Sequence, residues 1–133
     1  KWFFQLLRCI CVRERGSNIA ALKAGVNVLK NNGVVGVFPE GGVSREGRLQ
    51  EGIPGIGFLV KKTGAAVIPA FIFGTYKALP KGAKLPKPSR IKIIFGKPML
   101  FKEGENGSQG QTITEITGQI MEQIEQLSVS SNV

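Results

Sequence analysis

The stretch Val34-Val35-Gly36-Val37-Phe38-Pro39-Glu40-Gly41-Gly42-Val43-Ser44-Arg45-Glu46-Gly47-Arg48 decides how the chain reads. It opens as a short valine-rich apolar run, the pattern of a buried strand. Pro39 lacks a backbone N–H and is expected to end strand pairing there. Glu40 then stands at the strand's C-terminal end, followed by Gly41 and Gly42, whose missing β-carbons let backbone approach a ligand closely. Ser44, Arg45 and Arg48 follow within one short loop. A carboxylate, bare amides and two guanidiniums form a candidate polar-ligand site, because open α/β sheets bind ligands beyond the carboxyl ends of their strands. The same residues also compose an ordinary solvated glycine turn, so this stretch alone leaves both readings open.

Upstream, Trp2 to Arg8 reads as the end of a helix, its aromatics facing a core or a membrane interface. Cys9 to Val12 reads as a short strand, with Arg13, Glu14 and Arg15 emerging at its C-terminal end. Ser17 or Asn18 can cap the next helix. Within that helix Ile19, Leu22, Val26 and Leu29 recur at spacings of three and four, one apolar stripe. Asn31-Asn32-Gly33 stops it, with Gly33 free to take a positive φ. Strand, helix and strand over this length predict a right-handed parallel crossover. The crossover would bring Arg13, Arg15 and Glu40 to one edge of the sheet.

Downstream, seven glycines between Gly36 and Gly57 mark a functional loop more than a core element. Pro54 is expected to open a helix running to Lys62, with Gly64 at its C-terminus. Ala65 to Gly74 and Ile91 to Phe95 read as strands, with Lys92 pointing outward from the second. The proline- and lysine-rich segment from Lys77 to Arg90 between them reads as a surface loop. Glu103 to Gln111 reads as a linker, and Thr112 or Thr114 as the start of a last helix. Ile113, Ile116, Ile120, Ile124 and Leu127 make its apolar face. The predicted fold class is α/β: a mixed sheet with a parallel strand-helix-strand crossover and helices packed on it. Residues 1–127 are expected to form a single domain and 128–133 a disordered tail.

Composition narrows the possibilities. The chain of 133 residues is long enough for one hydrophobic core. No uninterrupted apolar run approaches the length of a membrane span. The net charge of +9 is unevenly distributed. Eight basic and no acidic residues lie between Lys77 and Lys102, whereas Glu103 to Val133 holds five glutamates and no lysine or arginine. The split fits a cationic surface for anionic partners beside an acidic C-terminal helix, or simply a soluble face. Cys9 and Cys11 alternate along one strand, too close together for a structural disulfide. With no histidine they offer no zinc set, and as reduced thiols they fit an intracellular compartment. Lys1 is preceded by no methionine and begins inside an amphipathic stretch, so the chain reads as a piece whose beginning lies upstream.

Phe38-Pro39-Glu40-Gly41 followed by Ser44-Arg45 resembles the F-P-E-G-T-R-S block of the glycerolipid acyltransferases, the 1-acylglycerol-3-phosphate acyltransferase family. Further segments agree in order and spacing. Ile10 to Ser17 resembles the upstream I-P-V-x-R block, and Ile19 to Leu29 the helix between the blocks. Pro54-Gly55 with Lys62-Thr63-Gly64-Ala65 resembles the K-P-G and K-T-G-A segment. Val67-Ile68-Pro69-Ala70 resembles the V-I-P-V block. The likeness covers Arg8 to Pro98.

The resemblance implies acyl transfer from acyl-CoA or acyl carrier protein to the hydroxyl of a lysophospholipid such as 1-acylglycerol 3-phosphate, in phospholipid biosynthesis. It implies no metal and no cofactor apart from that acyl donor as co-substrate. It implies a membrane-associated protein at the cytoplasmic side of a membrane, peripheral or anchored by a missing N-terminal segment, and no nucleic-acid partner. Carried over position by position, the acceptor-binding residues are Arg13, Arg15, Phe38, Pro39, Glu40, Gly41, Gly42, Ser44, Arg45 and Arg48, with Pro69 on the acyl-donor side. Arginine suits phosphate because its fork donates two parallel hydrogen bonds. Glu40 suits a glycerol hydroxyl or an arginine, and Gly41 and Gly42 can offer amides to oxyanions.

In the family an H-x-x-x-x-D motif deprotonates the attacking hydroxyl, a poor nucleophile without a base. This chain has neither histidine nor aspartate, so no catalytic residue is assigned and the chain alone is expected to be inactive. The family's Thr-Arg is Gly42-Val43 here, leaving Arg45 or Arg48 to substitute. Glu14 falls at the upstream arginine, so either Arg13 or Arg15 can face the ligand. A catalytically inactive phosphate- or lipid-binding module is the alternative. A nucleic-acid binder fits the net charge but lacks interleaved aromatic residues, since Tyr76, Phe95 and Phe101 are too sparse for a stacking platform.

Overall fold

The computed structural model describes Leu6, Cys9, Ile10, Val12 and residues 18–44, 47–101 and 110–129. The chain divides into two compact units, Lys1–Gly36 and Val37–Val133.

In the first unit, helix α1 spans Ile19–Lys30, with Asn18 at its N-cap position. Gly25 is its buried residue, and of the predicted stripe Leu22, Val26 and Leu29 are half-buried. Ile19 departs from the stripe and is 59% exposed. The helix stops in a Schellman arrangement. Asn32 N–H donates to Leu29 O at 3.1 Å, and Gly33 N–H to Val28 O at 2.9 Å. The left-handed residue is therefore Asn32, at φ 58°, and not Gly33. Asparagine tolerates that region because its short polar side chain bonds locally. Glycine is required next to it for a different reason. A β-carbon on Gly33 would lie 2.8 Å from the Val28 carbonyl oxygen.

The predicted strand Val34 to Phe38 is irregular backbone and enters no ladder among the described residues. Val34 and Phe38 are 93% and 75% exposed. An apolar run becomes a strand only when a neighbour takes its backbone hydrogen bonds, and Gly33, Gly36 and Pro39 all weaken pairing here. The parallel crossover is thus not seen among the described residues. Cys9, Ile10 and Val12 of its other strand carry no regular structure, and Cys11, Arg13 and Arg15 lie outside the described residues. So do most of the predicted Trp2–Arg8 helix, of which Leu6 is described as helical, and all but Gly110 and Gln111 of the predicted linker.

The second unit is built on α2 (Gly55–Thr63), β1 (Ala70–Phe73), α3 (Thr75–Ala78), β2 (Lys92–Phe95) and α4 (Ile113–Val129). Pro54 precedes α2 with φ −61°, already close to helical values, and Gly64 closes it at φ 63° by donating to Val60 O at 2.8 Å. β1 and β2 pair antiparallel, with Ala70 opposite Phe95 and Phe73 opposite Lys92. A bridge between Val67 and Met99 extends the ribbon, bonded in both directions at 2.8 and 2.9 Å. Two residues separate Val67 from Ala70, but three separate Phe95 from Met99, which is a bulge at Gly96 to Pro98. Residues 81–90 are exposed throughout, as expected of the basic segment. That segment folds back on α3 through Lys87 N–H to Ala78 O at 2.7 Å.

The core lies where α2, α4 and β1 meet. Val60, Ile116, Ile120 and Ile124 are buried together, with Leu49, Ile56, Val67, Phe71, Met99, Phe101 and Met121 packed around them. The three buried isoleucines fall on the predicted face of α4. That helix runs to Val129, so Ser128 and Val129, assigned to a tail from sequence, are helical. It begins with a capping box: Glu115 N–H donates to Thr112 Oγ1 at 3.2 Å, while Thr112 N–H donates to Glu115 Oε2 at 2.7 Å. The Thr112 N–H and then its hydroxyl hold the Glu115 carboxyl below its ordinary pKa, with Lys61 adding to the same direction. Gly57 allows α2 to sit close on α4, since a β-carbon there would meet the Ile113 carbonyl oxygen and lie 2.6 Å from Thr117 Oγ1.

Candidate functional site

Phe38 to Ile53 forms one closed loop. Gly41 N–H donates to Phe38 O at 3.1 Å, a β-turn with Pro39 at its second position. Gly41 has φ 67°, and a β-carbon there would lie 2.8 Å from Ile53 Cδ1. Three more hydrogen bonds nest inside one another. Ile53 N–H donates to Pro39 O at 2.8 Å. Gln50 N–H donates to Glu40 Oε2 at 2.8 Å, and Ser44 Oγ donates to Arg48 O at 2.9 Å. Glu40 is thereby a staple across the loop, accepting from the backbone of its own return limb. Ionised acceptors make the stronger class of such bonds.

The return limb is seated on the last helix. Leu49 packs against the core, and a β-carbon on Gly52 would lie 2.6 Å from Met121 Cγ. A larger residue at Gly52 would have to displace the Met121 side chain, so glycine is favoured there by contact rather than conformation. At the tip, Gly47 has φ 72° and rests against Tyr76 of α3.

The predicted acceptor residues are distributed over this loop. Phe38 is exposed, whereas Pro39 and Glu40 are half-buried at the turn. The Gly41 amide is already committed to the turn, whereas Gly42 is exposed with open space at its α-carbon. Ser44 closes the tip by donating its proton to Arg48 O, which leaves its oxygen able to accept. Arg48 is exposed, its backbone held by Ser44. Arg45 lies outside the described residues, as do Arg13 and Arg15. Pro69 is buried at the end of β1, where its carbonyl accepts from Gly96 N–H at 2.8 Å and its ring fills the space a Gly96 β-carbon would need.

A groove of about 350 Å3 runs between the return limb and α4. Its lining includes Glu51, Glu122 and Glu125, the wrong charge for a phosphate. The arginine-bearing tip is the part of the loop chemically suited to an anion. Among the described residues no cluster of histidine, cysteine or acidic side chains could hold a metal ion. No helix of the described residues is long and apolar enough to cross a membrane.

Sequence reading found the loop but missed two of its supports. Gln50 acts through its backbone and leaves no residue-type signal. Tyr76 lies on a different element, and nothing in its neighbourhood, Gly74-Thr75-Tyr76-Lys77, points back to Gly47.

The chain as a whole is similar to known proteins. The Acyltransferase family matches residues 1–73, and the chain belongs to that family, among its glycerolipid members. It is 34% identical over 84 residues to the chloroplastic 1-acyl-sn-glycerol-3-phosphate acyltransferase of Arabidopsis thaliana, an alignment covering 62% of this chain and 24% of the relative. Its counterpart in Brassica napus is 32% identical over the same length and with the same coverage. The crystal structure of the 1-acyl-sn-glycerophosphate acyltransferase PlsC from Thermotoga maritima superimposes with a TM-score of 0.70 at 27% identity, covering 85% of this chain and 46% of that one. The chain therefore spans about a quarter of the length of these curated relatives and a little under half of the solved structure. The α/β class expected from sequence agrees with this neighbour.

Proposed function

We propose that this chain supplies the acceptor-binding part of an enzyme that moves an acyl group from acyl-CoA or acyl carrier protein to the hydroxyl of 1-acylglycerol 3-phosphate. The observation that carries the reading is the closed loop Phe38 to Ile53, a rigid turn holding Arg48 at an open surface within a family of acyltransferases. In this reading Arg48, with Arg45, takes the phosphate through paired charge-assisted hydrogen bonds. The family resemblance also assigns Arg13 and Arg15 to the acceptor and Pro69 to the acyl donor. Glu40 acts by fixing the loop, not by touching phosphate, since two anions repel. Phe38 and Gly42 line the exposed side of the turn.

The relatives act on or are named for an acyl-glycerophosphate, which supports a phosphorylated glycerolipid as acceptor. The chain carries no histidine or aspartate, so the base that takes the hydroxyl proton is not among its residues in the family's form. Titration of the chain with sn-glycerol 3-phosphate tests the reading. Saturable binding, weakened about tenfold or more in Arg48→Gln, is expected from the loss of one charged hydrogen-bonding group. Equal affinity of wild type and Arg48→Gln would remove Arg48 from the site.

The exposed basic segment favours a second reading, a binding module that holds anionic lipid without turning it over. The exposed cations of residues 81–90 then attach the protein to a membrane surface. Vesicles containing phosphatidic acid would retain the chain at low salt and release it at high salt. Retention that ignores salt, or equal retention on uncharged vesicles, would dismiss the electrostatic attachment.

A further inference from the structure

We propose that Tyr76 is a positioning residue for the arginine-bearing loop, its ring forming the support that fixes Gly47 and therefore Arg48. The inference rests on the phosphate-binding reading of that loop. Among the described residues the loop tip between Ser44 and Arg48 is bridged by one side-chain hydrogen bond, Ser44 Oγ to Arg48 O. Such a bond sets the width of the tip but not where it sits. Position comes from the contact beneath it. Gly47 takes φ 72°, and a β-carbon on it would lie 2.9 Å from both Cδ1 and Cγ of Tyr76 and 3.3 Å from its Cβ. The backbone of the tip therefore lies on the ring with no side chain between them.

Tyr76 is itself held from behind. Gly74, at φ 84°, turns the chain out of β1 directly into α3, and it approaches the Arg90 carbonyl so closely that a β-carbon would collide with it. Ala78 and Leu79 N–H groups close the short helix onto Gly74 and Thr75, each at 2.9 Å. Lys87 N–H to Ala78 O pins the far side. β1 is packed on the core through Phe71, so the ring is attached to the rigid part of the unit. The tip would otherwise be joined to that rigid part only at its two limbs. Tyr76 is 39% exposed, and its hydroxyl makes no hydrogen bond to a described residue, so the ring and not the oxygen makes the support.

Backbone amide relaxation measured by nuclear magnetic resonance and glycerol 3-phosphate titration on wild type, Tyr76→Phe and Tyr76→Ala test the assignment. Tyr76→Ala is expected to lower the order of the Gly47 and Arg48 amides, leave the α4 amides unchanged, and weaken the probe roughly tenfold. Tyr76→Phe is expected to match wild type in both. Unchanged order at Gly47 and Arg48 in Tyr76→Ala would overturn the proposal, as would a Tyr76→Phe variant as mobile as Tyr76→Ala. If α4 amides also lose order in Tyr76→Ala, the residue is a general packing group and the proposal fails. Should wild type bind no glycerol 3-phosphate, the phosphate reading falls, and the relaxation data still decide whether Tyr76 orders the tip.

Discussion

Glu40 Oε2 accepts a hydrogen bond of 2.8 Å from the backbone N–H of Gln50, ten residues further along the chain. The Glu40 side chain thus serves the loop's own closure. Glu40→Ala is expected to leave the α-helical core intact while Gln50 N–H loses its acceptor. For a net bond energy near 1 kcal/mol, exchange at that amide should rise about fivefold to tenfold. Exchange at Gln50 as slow as in wild type would mean that the Pro39–Ile53 bond alone holds the limb.

Gly57 is where α2 and α4 come closest, against the Ile113 carbonyl and Thr117. Gly57→Ala gains helix propensity but overpacks this contact, and the steric cost wins. Chemical denaturation is expected to show a net loss of about 1–3 kcal/mol. A stabilised variant would mean that the helices separate freely.

The capping box of α4 gives a pH dependence with a definite sign. Hydrogen bonds from Thr112 lower the Glu115 pKa in the folded chain. The interaction is therefore complete above the pKa of an unfolded glutamate and fades as pH falls through the lower, folded value. Glu115→Gln should flatten that acidic limb of the stability profile, with the loss falling near neutrality, where the carboxylate is ionised, and vanishing in acid. Thr112→Ala removes the N-cap itself and is expected to cost about 1 kcal/mol in thermal or chemical unfolding at neutral pH.

Asn32 pays a conformational penalty at φ 58° that glycine would not. Asn32→Gly is expected to be neutral or to stabilise α1 slightly, and Asn32→Ala to destabilise it by about 1 kcal/mol. Gly33→Ala, at negative φ but against the Val28 carbonyl, should be worse than either. Circular dichroism melts of the three variants rank them directly.

These cases show which parts of the molecule are written locally in the sequence. The ends of α2 were legible because Pro54 and Gly64 each act through their own φ. The buried face of α4 was legible because Ile116, Ile120 and Ile124 repeat at helical spacing. The capping box is equally local, written as Thr112-x-x-Glu115. Val34 to Phe38 marks the limit: valines state a preference for pairing, but pairing depends on a neighbour that no local pattern specifies. The candidate site divides the same way. Its arginines and its Pro39-Glu40-Gly41 turn are visible as residue types, whereas the Gln50 amide, the Met121 seat under Gly52 and the Tyr76 ring under Gly47 exist only once distant segments meet.

The seat of Gly52 on Met121 also orders events in time. A chain leaves the ribosome from its N-terminus, and its segments settle as their partners appear. Residues 38 to 53 emerge early, but the surface on which Leu49 and Gly52 rest belongs to the last helix, some seventy residues later. Until Ile116 to Met121 have been made, the return limb of the arginine loop lacks its seat, whatever support Tyr76 gives the tip. The proposed acceptor loop therefore gains its seat only once α4 has been made, and a nascent chain short of that helix carries the loop without it.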